Sequence, residues 1–176
     1  YCDNRMILSY PSLRSHIKNE FYKLADSFFQ PFTAIAGVAT AGIPHAALLA
    51  DAMDLPMVYV RTSAKKHGKE NRIEGYLNSG QRVLLIEDLI STGGSSLSAL
   101  EALQAQDHQV NGLAAIFSYN FERANQAIDA ANVPFYTLTD YQTLTSAAME
   151  MGHVGNAEME TLEAWRKAPN QWGGAA

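Results

Sequence analysis

The residues best placed to do chemistry lie in one segment, Val83-Leu84-Leu85-Ile86-Glu87-Asp88-Leu89-Ile90-Ser91-Thr92-Gly93-Gly94-Ser95-Ser96. An apolar run ends in two carboxylates and passes into a stretch of hydroxyl residues and glycines. If the run is a strand and Ser96 begins a helix, the intervening loop lies where open α/β sheets bind ligands, beyond the carboxyl ends of the strands. Its backbone N–H groups stand at a helix N-terminus, where the dipole amounts to roughly half a positive charge. The glycines allow close approach to an anion, and Ser91, Thr92 and Ser95 add hydroxyl donors. That is a cradle for a phosphate monoester. Two acids beside it would repel an anion, unless the ligand carries vicinal hydroxyls that a carboxylate can accept from. A ribose 5-phosphate has both parts. The candidate substrate-binding run is therefore Glu87, Asp88, Leu89, Ile90, Ser91, Thr92, Gly93, Gly94 and Ser95. Adjacent strand residues face opposite sides, so both acids reach one sugar only where the strand unwinds, and Asp88 is the nearer to the loop. The lysine of a P-loop is absent, and no G-x-G-x-x-G follows a strand.

The rest of the chain supplies elements that could position this segment. Leu13, Ile17, Phe21, Leu24 and Phe28 recur at helical spacing, with Ser12 placed to cap. Residues 32–39 form an apolar run expected as a buried strand, followed by the small-residue turn Ala39-Thr40-Ala41-Gly42 and a helix over 43–53. Strands are expected at 56–61, 82–88, 110–119 and 133–138, and helices at 96–106, 123–131, 140–151 (capped by Asp140) and 156–167. Residues 62–75 carry Lys65, Lys66, Lys69 and Arg72 with no hydrophobic period. A polar loop of that length inside a domain is usually functional or mobile. Strands alternating with helices predict one α/β domain over 1–176, with a mostly parallel sheet covered on both faces.

Composition narrows the function. There are 176 residues, 47% apolar and 18% charged, an ordinary globular balance. With 13 Lys+Arg against 18 Asp+Glu the net charge is −5, which disfavours nucleic acid as a partner. No apolar run reaches membrane-spanning length. One cysteine, Cys2, permits neither an internal disulfide nor a Cys-rich metal site and fits a reducing, cytoplasmic compartment. His16, His45, His108 and His153 have no metal-ligand spacing.

Glu87 to Ser95 resembles the diphosphoribosyl-binding motif of type I phosphoribosyltransferases. Residues 35–44 resemble the diphosphate loop of orotate phosphoribosyltransferase. Val60-Arg61-Thr62-Ser63-Ala64-Lys65-Lys66-His67-Gly68 and Ile73-Glu74-Gly75 resemble its catalytic lid, and Asp3-Asn4-Arg5 with Leu8-Ser9-Tyr10-Pro11 its opening segment. The resemblance spans nearly the whole chain. It implies the type I fold, with a flexible lid over about 62–75. It also implies transfer of the ribose phosphate of 5-phosphoribosyl 1-diphosphate (PRPP) to orotate, in pyrimidine synthesis.

On that resemblance, Arg61, Lys65 and His67 meet the diphosphate, Ala39, Thr40, Ala41 and Gly42 offer it backbone amides, and Glu87 and Asp88 hold the ribose hydroxyls. Ser91 also matches a position that contacts orotate, while Tyr1, Cys2 and Tyr119 fall in the base-binding stretches. Magnesium is implied as a cofactor held mainly through PRPP, with no dedicated protein ligand. A homodimer is implied, with the lid reaching the partner's site. The resemblance further implies a segment ahead of Tyr1 with an orotate-binding lysine.

The chain departs from the family pattern at three places. Ala41 and Thr62 stand where many members carry lysines, and Tyr119 or Asn120 where an arginine meets orotate. Two other readings remain open at this point: a phosphoribosyltransferase for another base such as a purine, and a non-catalytic nucleotide-sensing regulator of the same fold.

Overall fold

Apolar runs too short for helices and rich in Val, Ile, Leu and Ala assemble into one sheet in the computed structural model, which describes residues 2–62 and 72–172. The parallel strands are β1 (Ala34–Val38), β2 (Met57–Val60), β4 (Arg82–Ile90), β5 (Gln109–Ser118) and β6 (Phe135–Asp140). A two-residue strand, β3 (Ile73–Glu74), pairs antiparallel with β2. The order across the sheet is β3-β2-β1-β4-β5-β6. The chain therefore winds outward in both directions from β1 and β4, which are neighbours in register, Gly37 opposite Ile86. Such a reversal leaves a crevice at the carboxyl ends of those two strands.

Six α-helices are found among the described residues: α1 (Pro11–Phe28), α2 (Gly42–Met53), α3 (Gly94–Gln104), α4 (Glu122–Ala130), α5 (Tyr141–Glu150) and α6 (Asn156–Lys167). A 3-10 turn, Asn4–Ser9, precedes α1. Strand alternation sorts β4 between two cores. Leu84 and Ile86 pack with Phe21, Ala25 and Leu49 of α1 and α2. Val83 and Leu85 pack with Leu100, Leu103 and Ile128 of α3 and α4. A third cluster, Phe117, Tyr119 and Tyr141 with Leu162 and Trp165, lies beyond the end of β5.

Most expected elements appear within a few residues of their predicted ends, with three differences. The sheet is mixed, because β3 lies inside the stretch without hydrophobic period; two residues are too few to show one. The first helix starts at Pro11 rather than Leu13, and its N-cap is Tyr10 rather than Ser12. Proline at the first helical position lacks only an N–H that would be unpaired there anyway. The strand bearing the acids runs on to Ile90, so it does not unwind at Glu87 and Asp88. Asp140 caps α5 as expected, its carboxylate accepting from Thr143 N–H at 2.8 Å.

Gly112 of β5 shows how tightly α1 meets the sheet. A Cβ built there would run into the ring of Phe29, which is 2% exposed. Gly112→Ala is expected to lower stability by about 1–3 kcal/mol through overpacking. Urea unfolding checks this; an unchanged midpoint would show that the ring yields freely.

Candidate active site

A cavity of about 430 Å³ opens at the carboxyl ends of β1 and β4, at the reversal of strand order. Its walls come from four places: the turn Ala39–Ala41 after β1, the end of β4 with the loop after it, the first residues of the chain, and an aromatic group formed by Tyr119, Phe121 and Trp165.

The β1–α2 turn is pressed onto β4. A Cβ on Gly42 would lie 2.5 Å from the carbonyl oxygen of Ile86 and 3.2 Å from the Cα of Glu87. Only glycine lets α2 start that close to the acidic strand end. Ala39 donates its N–H to Val60 O at 2.9 Å, which ties the turn to β2, and the Ala39–Thr40 peptide is cis. Ala39, Thr40 and Ala41 line the cavity, whereas Gly42 is buried behind them.

The two acids have different surroundings. Asp88 is half-buried and lines the cavity; its backbone carbonyl accepts from Asn4 Nδ2 at 2.9 Å. Glu87 also lines it but is only 5% exposed. Its Oε1 accepts from Asp88 N–H at 3.0 Å, and Ser96 Oγ of α3 donates to Oε2 at 3.4 Å. Burial, reinforced by the neighbouring Asp88, pushes the Glu87 carboxyl up to about 9. Glu87 is thus held protonated at neutral pH. Burial lowers the nearby His45 of α2, opposed by the Asp88 charge.

The loop after β4 has the form its composition predicts. Gly93 caps α3 with φ 77° and, having no side chain, gives the first-turn amides no cap bond. Those N–H groups have no partner within the helix and mark its positive end. Ser91 and Ser95 line the cavity; Thr92 lines a separate groove. Leu89 lines the cavity as well. Ile90 contributes no side chain, being 1% exposed in the core shared with α3, and offers only a carbonyl, taken by Tyr119 N–H at 3.1 Å.

At the far end Cys2 donates its N–H to the Tyr119 hydroxyl at 3.2 Å, and its thiol to Asn4 Oδ1 at 3.2 Å. Burial pushes that thiol up. Arg61 is not in the lining. It follows β2, with Nη1 3.5 Å from Glu74 Oε1. Tyr1, Lys65 and His67 lie outside the described residues. Among the described residues, no group of three His, Cys, Asp or Glu side chains could hold a metal ion.

Five wall residues had no site role in the sequence: Asp3, Asn4, Arg5, Phe121 and Trp165. Arg5 is the one Lys or Arg among the described residues lining the cavity. The run Asp3-Asn4-Arg5 was visible, but nothing local signals that an asparagine will reach a carbonyl 84 positions away. Trp165 lies on a helix that sequence places but does not dock.

Residues 3–134 match the profile of the phosphoribosyl transferase domain. The chain is 50% identical over 173 residues to orotate phosphoribosyltransferase of Bacillus caldolyticus, covering 98% of this chain and 84% of that one. It is equally identical over 172 residues to the enzyme of that name from Bacteroides fragilis, covering 98% and 81%. The crystal structure of orotate phosphoribosyltransferase from Aeropyrum pernix superposes with a TM-score of 0.77 at 27% identity, covering 88% of this chain and 85% of that one.

The buried carboxyl of Glu87 sets a pH dependence. From about pH 4.5 to about 9 the folded chain holds a proton that the unfolded chain has released. Stability must therefore fall as pH rises through that window. Glu87→Gln is expected to flatten the fall between pH 6 and 9. Urea midpoints across that range for both proteins check it, and parallel curves would assign the dependence to other groups.

Proposed function

The chain belongs to the orotate phosphoribosyltransferases, and on that premise we propose that the cavity between β1 and β4 is where the 5-phosphoribosyl group of PRPP passes to orotate. The enzyme releases orotidine 5'-monophosphate and diphosphate, in pyrimidine nucleotide synthesis. The observation that carries the assignment of the site is a convergence: the Ala39–Ala41 turn, Asp88, and Ser91 and Ser95 after β4 all line one cavity at the carboxyl ends of β1 and β4.

In this reading the first-turn amides of α3, with Ser91 and Ser95, receive the 5'-phosphate. Asp88 accepts hydrogen bonds from the ribose hydroxyls. Glu87, protonated and held by Ser96, keeps the strand end in place and can also donate to a hydroxyl oxygen. As the bond from C1' to the diphosphate oxygen breaks, positive charge grows on the sugar ring and negative charge on the leaving group. Asp88 is assigned to the sugar side. Cations are needed on the leaving-group side, and Arg61, Lys65 and His67 are assigned there. Stabilising charge that develops in the transition state is the main contribution such groups make. Closure of the segment that carries Lys65 and His67 would exclude water from the reactive sugar.

Magnesium, when bound, neutralises the diphosphate oxygens. One exposed-side carboxylate beside a protonated one is a poor cage for a divalent ion, which fits a metal carried by the substrate. The functional unit is proposed as a cytoplasmic homodimer, each lid serving the partner's site. No helix among the described residues is long and apolar enough to cross a membrane. The relatives favour orotate over a purine as the base.

Turnover with orotate against adenine and hypoxanthine tests the reading; product from a purine and none from orotate would overturn it. Lys65→Ala is expected to lower kcat by about a hundredfold or more, while calorimetric affinity for PRPP with magnesium stays within a few fold. Equal turnover in the variant would remove Lys65 from the mechanism.

A further inference from the structure

The geometry points to Trp165 as the aromatic wall on which the planar base stacks, with Arg166 as the positioning residue that holds the indole in place. This rests on the reading of the cavity as the phosphoribosyl-transfer site.

Trp165 is the contribution of α6 to the cavity, where it sits beside Tyr119 and Phe121. Its indole is partly exposed. The two other rings there are already committed. Tyr119 and Phe121 stack on each other, 8° from parallel at 5.4 Å, and the Tyr119 hydroxyl accepts the Cys2 N–H. Trp165 is inclined to both, by 64° to Tyr119 and 56° to Phe121, so neither stacks on it. A flat heterocycle finds its stacking partner on such an unstacked indole, because base–aromatic contact needs a π-face and no particular hydrogen-bond pattern.

The indole packs against Tyr119, Phe121 and, at 5.6 Å, Tyr141. Behind it lies a second cavity of about 550 Å³, mostly apolar, walled by Phe117, Tyr141, Leu144, Leu162 and Trp172. Trp165 is a partition between two spaces, and α6 has no buried residue of its own. The polar tie of the helix to the site comes from the next residue. Arg166 Nε donates to Tyr119 O at 3.3 Å, and Nη2 donates to Asn120 O at 3.4 Å. Its guanidinium carbon lies 6.0 Å from the centre of the Tyr141 ring, whose hydroxyl donates to Leu162 O of α6 at 3.1 Å. A guanidinium can grip two successive carbonyls and an aromatic face together; an ammonium cannot match that geometry.

The test uses the full chain and exploits its two tryptophans. In Trp172→Phe, emission comes from Trp165 alone. Titration with orotidine 5'-monophosphate is expected to quench it in a saturable way. Trp165→Leu, which removes the π-face, is expected to raise the KM for orotate about tenfold or more while the KM for PRPP stays within twofold. Arg166→Gln should shift the orotate KM in the same direction and red-shift the Trp165 emission, and Arg166→Lys should restore it only in part. Unquenched Trp165 emission at saturating orotidine 5'-monophosphate would overturn the proposal, as would an unchanged orotate KM in Trp165→Leu. If Trp165→Leu does not fold, the fluorescence titration decides alone. Wild-type chain that makes no product from orotate and PRPP would instead refute the functional reading itself.

Discussion

The site depends on one close approach. Gly42 lets the start of α2 rest against the backbone of β4 at Ile86 and Glu87. Any side chain there would lift the β1–α2 turn away from the acidic strand end. With the turn seated, two backbone segments 45 or more residues apart in sequence face one volume: an amide-bearing turn on one side, a carboxylate on the other. Everything else in the cavity is arranged around that contact. The parallel pairing of β1 with β4 fixes how far each strand reaches. The glycine cap starts α3 beside the same space, where Ser95 of its first turn lines the cavity.

Charge is distributed along the cavity rather than spread over it. Asp88 is partly exposed to the cavity, whereas Glu87 is buried, kept protonated and held by a serine from α3. An ionised Glu87 would oppose the polyanionic substrate proposed for the cavity. Placing it on the α3 side of the strand and keeping it protonated removes that opposition and leaves a polar group there. The alternation of a strand that stays extended through Ile90 produces this division, with no special backbone geometry at the acids.

The sequence made the phosphate loop, the acids and the diphosphate turn legible, because each depends on local composition: glycines and hydroxyl residues between a strand and a helix, or small residues where backbones meet. The parallel core was legible for the same reason, since unbroken apolar runs alternate with helical periods. What escaped depends on tertiary contact. Asn4 reaches Asp88 O across the fold, and Trp165 arrives from the last helix; neither carries a local sign of its destination. β3 escaped because two residues show no period. The division of roles between Glu87 and Asp88 required knowing that the strand does not unwind, a fact set by pairing with β5 rather than by the acids themselves.

The pairing of β2 with β3 has a bearing on timing. Val60 stands opposite Ile73, Arg61 N–H donates to Arg72 O at 2.9 Å, and Arg72 Nε returns a bond to Arg61 O at 2.9 Å. The two ends of the 62–72 stretch are therefore clasped together at its root. Within that clasp the Arg61 guanidinium faces Glu74, in an ion pair whose two side chains are 32% and 26% exposed. Pairs of this kind contribute about 0–1 kcal/mol. Under the role proposed for Arg61, a polyphosphate would be a stronger attractor than this single carboxylate. The cation would then have a defined berth before substrate arrives, and a shallow one to leave.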